Sequence, residues 1–187
     1  MNASNRIKLN AGFTLIELVV VIIILGILSV VAAPKFINLK SDAHLSVLRG
    51  LQGAISSGNA LAYSKALIQG KETQAVANVD LGAAEVILAY GYIPTSLNGV
   101  PQGAKKIDTE SNIIFNSITS VLDIDAAHLI DSSEVVRGDW GVMTHGIDMY
   151  VSFVPKGLSV DSLCMLEYTG VNAAGEHPMF TIIDSGC

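Results

Sequence analysis

Gly12-Phe13-Thr14-Leu15-Ile16-Glu17 opens the unbroken apolar run 18–28, and the reading of this stretch decides the fold. Across residues 13–33 Glu17 is the only charged side chain. A helix over that run is long enough to cross a hydrocarbon core of about 30 Å, for which about 20 residues suffice. A carboxylate there is costly, about 2.5–3.5 kcal/mol at the centre of a span and less near an end. The run carries no partner for it, so a cation is expected from another molecule.

The preceding residues indicate which one. Residues 1–12 hold Arg6 and Lys8 and no acid, a cytoplasmic flank that sends the C-terminal side of the helix outward. An ordinary secretory signal is cut after its apolar region. The Ala32-Ala33 pair is followed by Pro34, which hinders cleavage there. A cut between Gly12 and Phe13 instead keeps the apolar helix and creates an α-ammonium on Phe13, about one helical turn from Glu17. The amine of one copy can then pair with the carboxylate of the next.

GFTLIELVVVIIILGIL (12–28) followed by AAPKF (32–36) resembles the class III signal and helix start of type IV pilins and of the pseudopilins of type II secretion. YSKA (63–66), YGY (90–92) and the late cysteines are similar to the mannose-sensitive haemagglutinin pilins of marine gammaproteobacteria. The resemblance implies a leader at 1–12 removed between Gly12 and Phe13, with the Phe13 amine methylated. It implies a filament-core helix at 13–33, an amphipathic continuation at 34–67 and a globular head at 68–187. Glu17, Phe13, Gly26 and Pro34 become the assembly residues, because pilins lose helicity between such a glycine and proline when assembled.

The implied function is structural, not enzymatic. The chain is expected to polymerise with itself into an extracellular fibre for attachment and biofilm formation. The implied partners are a prepilin peptidase/methyltransferase, the inner membrane before assembly, the pilus machinery, and a surface glycan or host ligand. A major pseudopilin of type II secretion and a minor pilin of DNA uptake are the alternatives. A single-span enzyme or receptor is a third reading, in which the head would work without its helix.

Composition bounds these readings. The net charge of −6 becomes −8 once Arg6 and Lys8 leave with the leader, which argues against generic nucleic-acid binding. The 50% hydrophobic content is concentrated at the N-terminus, and the remainder is ordinary for a soluble domain. Cys164 and Cys187 both lie on the oxidising side of the span. A bridge between them would fasten the C-terminus and stabilise the head by about 3 kcal/mol; two free thiols are the alternative. The spacing excludes a CxxC redox site, and a zinc site needs further ligands. In the resembling family such a pair bounds the C-terminal loop region.

Helical periodicity continues past the span. Phe36, Leu39, Ala43, Val47, Leu48, Leu51, Ile55, Leu61 and Ala62 recur at three- and four-residue steps, with Lys40, Asp42, Arg49 and Gln52 between them. One helix over 14–67 follows, about 80 Å long, apolar all round in its first half and striped in its second. Pro34 predicts a kink. Gly26, Ser29 and Ala33 form a small-residue strip that lets helices approach closely. Residues 68–112 read as a connection holding a short helix at 81–92. Residues 113–118 fit strand or helix, and 120–129 another turn or two of helix. Strands are expected at 147–153, with Ile147, Met149, Val151 and Phe153 on one face, and at 163–169 and 179–183. The fold class is α+β, the striped half of the helix lying on an antiparallel sheet of three to five strands.

No catalytic constellation or cofactor site is legible. His44, His128, His145 and His177 are isolated from one another and fit no metal motif. Asp123 and Asp125 lack the glycine and distal glutamate of a calcium loop. Tyr63, Tyr90, Tyr92 and Trp140 are expected in packing rather than ligand binding.

Overall fold

The computed structural model describes residues 13–97, 106–146 and 149–187. The chain divides into two compact units, Met1–Lys40 and Ser41–Cys187. Helix α1, Leu15–Ile68, passes through both, close to the 14–67 expected. Its backbone is helical at Pro34.

Within the first unit, residues 15–32 of the helix form an apolar stretch that is exposed along its length. Residues 15–32 have a mean hydropathy of 3.1 over a stretch long and apolar enough to cross a membrane. Large apolar side chains from Phe13 to Val31 are exposed, from 37% at Val19 to 89% at Phe13. Apolar area on this scale marks a membrane or protein contact.

In the second unit α1 becomes one face of a core. Leu48, Leu51, Ile55, Ala62 and Ala66 are buried at helical spacing. Leu39, Val47 and Leu61, counted in the stripe from sequence, are exposed, and Asn59 and Ala66 take places on it instead. The stripe is therefore narrower than its apolar residues suggest. Leu48, Leu51 and Ile55 meet Val142, Val151, Phe153, Leu166 and Tyr168 of the sheet, each such side chain contributing about 1.5–3 kcal/mol when fully buried.

Residues 81–92 do not form the short helix expected. A hairpin stands there, β1 (Ala77–Asp80) antiparallel to β2 (Glu85–Leu88). Its turn is fixed by Asp80 Oδ1, which accepts the Gly82 N–H at 2.7 Å, and Gly82 has φ +97. This Asp-x-Gly turn chemistry overrides the apolar spacing. Ala77, Val79, Val86 and Leu88 cover Ala62 and Ala66 of α1.

Helix α2, Lys106–Leu122, resolves the ambiguous segment 113–118 as helix and buries Ile114 and Ile118. It ends before the 120–129 stretch does. Gly58 lets α2 come close, because a Cβ there would lie 2.9 Å from Leu122.

The main sheet has five strands in sequence order: β3 (Ala126–His128), β4 (Trp140–His145), β5 (Tyr150–Pro155), β6 (Met165–Thr169) and β7 (Met179–Ile183). The last three pairings are antiparallel, but β3 and β4 are parallel. A parallel neighbour requires a crossover, supplied by residues 129–139. That segment carries Leu129 and Val136 onto the face of the sheet away from α1, against Val154 and Met165. Strand β5 is consequently buried on both faces from Val151 to Pro155, not on one as its alternation suggested. It also starts later than expected, since Met149 has φ +56; Ile147 lies outside the described residues. Strand β6 begins at Met165 rather than 163 because Leu163 closes a 3-10 turn in the left-handed region, φ 55. Strand β7 matches the expected 179–183.

Candidate assembly site

The residues expected to matter for assembly sit at the start of α1. Thr14 is the N-cap and Glu17 the third helical residue. Glu17 Oε2 accepts hydrogen bonds from the Thr14 N–H at 2.9 Å and the Thr14 hydroxyl at 2.8 Å. The Glu17 N–H donates back to Thr14 Oγ1 at 3.3 Å. This is a capping box, in which two unpaired helix donors are satisfied reciprocally. The partial positive charge of the helix N-terminus also favours a carboxylate there.

The box corrects one inference from sequence. Glu17 is not without a partner on its own helix: Thr14 supplies two hydrogen bonds, although no positive charge. The signal was present as Thr-x-x-Glu before an apolar run. Both donors fall on Oε2, and among the described residues Oε1 accepts no hydrogen bond. The two bonds from Thr14 therefore fix the carboxylate in direction through Oε2.

The other predicted residues are not gathered at this point. Phe13 precedes the cap and is 89% exposed. Gly26 lies along the helix, where an added Cβ would meet nothing within 4 Å. Pro34 lies in the helical backbone further on, and its side chain is outside the described residues, as is Gly12. Ser29 of the small-residue strip returns its hydroxyl to the Leu25 carbonyl at 2.7 Å, which hides its polarity from an apolar neighbour.

The cysteines form a second, separate feature. Cys164 and Cys187 are disulfide-bonded with Cα atoms 4.8 Å apart, Cys164 fully buried at the entrance to β6. Gly186 donates its N–H to the Leu163 carbonyl at 3.0 Å. A Cβ at Gly186 would lie 1.6 Å from the Ser162 carbonyl oxygen, so only glycine permits this return of the tail.

A buried polar knot, missed in the sequence, ties α1 to the sheet. Asn59 Oδ1 accepts the Ile93 N–H at 3.0 Å, Asn59 Nδ2 donates to the Tyr168 hydroxyl at 3.2 Å, and that hydroxyl donates to the Ile93 carbonyl at 2.9 Å. Burial pushes the Tyr168 hydroxyl well above the usual phenol range, so it stays a neutral donor. No periodicity announces an asparagine on a buried stripe.

The histidines of the head described in the structure are engaged in local packing and hydrogen bonds. His128 stacks on Phe115, and burial lowers its pKa. His145 stacks on Tyr150 and meets Ser152, whereas His177 meets Tyr92. Among the described residues no three acidic, histidine or cysteine side chains are grouped to hold a metal. Tyr63 stacks on Tyr92 with centroids 4.9 Å apart, and Trp140 packs against the core, as expected. Tyr90 instead lines a recess of about 200 Å³ with Ala75, Ala89, Ser96, Met149, Val171 and Asn172.

Comparison with known proteins bears on the N-terminal part. Residues 7–33 match the prokaryotic N-terminal methylation motif. The chain is 42% identical over 60 residues to the type IV narrow pilus major component PilA5 of Thermus thermophilus. That alignment covers 32% of this chain and 48% of the relative, so about half the length of that protein is matched. No solved structure is significantly similar.

Proposed function

We propose that this chain is a structural subunit of a type IV pilus, held in the inner membrane by α1 and then polymerised through it. The observation that carries the reading is the methylation motif over residues 7–33, which contains Glu17 with its Oε2 held by Thr14. Residues 1–12 act as the leader in this reading, cut by a prepilin peptidase between Gly12 and Phe13. The methylated Phe13 ammonium of one subunit then meets Glu17 Oε1 of its neighbour. Their attraction is offset in large part by desolvation, so the pair sets register. Cohesion comes from Leu15, Ile16, Val19, Val20, Ile23 and Ile27, all exposed in the single chain.

Three variants separate charge from cap. Glu17→Ala removes the charge and the carboxylate half of the box, and a broken buried pair costs about 3–5 kcal/mol. Glu17→Gln keeps the capping box but removes the charge. Thr14→Ala removes the cap, worth about 1 kcal/mol, and keeps the charge. The expected outcome is processed subunit in the membrane for all three, with surface fibres lost for Glu17→Ala and Glu17→Gln and retained, if fewer, for Thr14→Ala. Electron microscopy beside an immunoblot of the membrane pool reads this. Abundant fibres from Glu17→Gln would remove the charge pair from the mechanism.

Attachment to surfaces and biofilm growth are the finer role we propose. Their support is the similarity of 63–66 and 90–92 to mannose-sensitive haemagglutinin pilins. Loss of surface adhesion in a strain lacking this chain, restored by the intact gene, is the corresponding test.

A further inference from the structure

The two edges of the five-stranded sheet are treated differently. At one edge β3 is only three residues long and is attended by α2: Phe115 stacks on His128 with centroids 4.9 Å apart, and Asn112 Oδ1 lies 3.2 Å from His128 Nδ1. At the other, β7 runs for five residues and, among the described residues, pairs with β6 alone. A strand with one neighbour turns the N–H and C=O of alternate residues outward, and proteins blunt such an edge with charge, proline, a bulge or a covering segment. Met179-Phe180-Thr181-Ile182-Ile183 has no charge and no proline, and its pairing with β6 shows no bulge.

The flanking chain is actively held away from this edge. Before β7, Glu176 Oε2 accepts the N–H groups of Asn172 at 2.9 Å and Ala173 at 3.2 Å, folding the connection onto itself. After β7, the Cys187 N–H turns back to the Asp184 carbonyl at 3.0 Å, the Gly186 N–H reaches Leu163, and the disulfide closes on Cys164. The tail thus folds toward the start of β6 rather than along β7.

We propose that β7 is a strand-pairing surface for a second copy of this chain, joined antiparallel about Thr181. Self-complementarity selects that occupant. In this register Met179 lies opposite Ile183, Phe180 opposite Ile182, and Thr181 opposite itself. Apolar side chains meet apolar ones on both faces and hydroxyl meets hydroxyl, the kinds of cross-strand pair that stabilise sheets. No like charges are opposed, although the chain carries −6 overall. Just outside the strand, Asp184 falls opposite Pro178 and beside His177 of the other copy. Phe180 and Ile182 already pack against the core, so the second sheet would extend an existing apolar layer. Pairing of this kind is two-fold, joins heads two by two and is independent of the helix contacts; it brings subunits of separate fibres side by side.

The test uses the full chain extracted in detergent. Thr181→Cys and, separately, Met179→Cys are oxidised mildly at equal concentration and run on non-reducing gels, with peptide mapping to show Cys164–Cys187 intact. The register puts the two 181 positions about 5 Å apart and the two 179 positions about 14–15 Å apart. Thr181→Cys should therefore give about tenfold more reducible dimer than Met179→Cys, and Glu17→Ala should not change that ratio. In the unsubstituted chain, amide protection at 179–183 should rise with concentration while that of α1 does not. Equal dimer from both cysteine variants, no dimer from either, cross-linking of position 181 to a different protein, or concentration-independent protection would each overturn the proposal.

Discussion

The two stretches of α1 are built from the same residue types and meet opposite fates. Ile23 is 55% exposed, whereas Ile55 is fully buried. Hydrophobicity does not separate them; the placing of polar residues does. In the second stretch Arg49, Gln52, Ser56 and Ser57 leave a single apolar stripe, which one sheet can cover. In the first no polar face exists, and a helix apolar all round has to be surrounded. The folded head covers the striped half, and the large apolar side chains of the other half stay exposed in the single chain.

The comparison predicts that equal truncations act on different properties. Ile55→Ala should cost the head about 2–5 kcal/mol by opening a cavity among well-packed neighbours. Ile23→Ala should leave the head's unfolding midpoint where it is. Urea denaturation of the detergent-held chain, followed by near-ultraviolet circular dichroism, reads both. A similar shift for the two would break the distinction.

Removing both cysteines, as Cys164→Ser with Cys187→Ser, should lower head stability by about 3 kcal/mol. The amides of β7 should then exchange ahead of those of α1. Gly186→Ala should hinder closure of the same loop, visible as free thiol in the purified chain. A fully oxidised Gly186→Ala with unchanged melting would mean that the tail has another route to Cys164.

Asn59→Ala sharpens the point that the stripe is not wholly apolar. It leaves the Ile93 N–H without its acceptor, a loss of about 1–3 kcal/mol for an unsatisfied buried group, while Tyr168 keeps its bond to the Ile93 carbonyl. Stability equal to that of the unsubstituted chain would show that water replaces the amide. The smallest effect is expected at Leu61, 71% exposed. Leu61→Ser should change head stability by no more than about 0.5 kcal/mol, despite its apparent place in the sequence stripe. A loss comparable to that of Ile55→Ala would mean that α1 is covered on a second side.

Much of this was legible in the residues. The long helix and its change of character followed from periodicity, because the 3.6-residue pattern is a local property of the chain; strand β7 followed as a short apolar run after the turn-rich 170–178. The hairpin at 77–88 was missed because its short strands pack on alanines of α1, and small residues give a weak hydrophobic signal. The disulfide was legible only as one of two options. The capping box was legible too, as Thr-x-x-Glu ahead of an apolar run, with Thr14 the cap of the helix rather than its first residue.

By itself the sequence determined that Glu17 would sit at the mouth of an apolar helix, that this helix would continue into a stripe, and that strands would cover it. These are consequences of composition and spacing along a continuous chain. Only the tertiary structure decided that β3 runs parallel to β4, that residues 129–139 bury the second face of β5, that Asn59 joins Tyr168 and Ile93, and that residues 184–187 turn back toward Leu163 and Cys164. Each of those depends on groups far apart in sequence reaching one place, and the free energy of such contacts is written in no single segment.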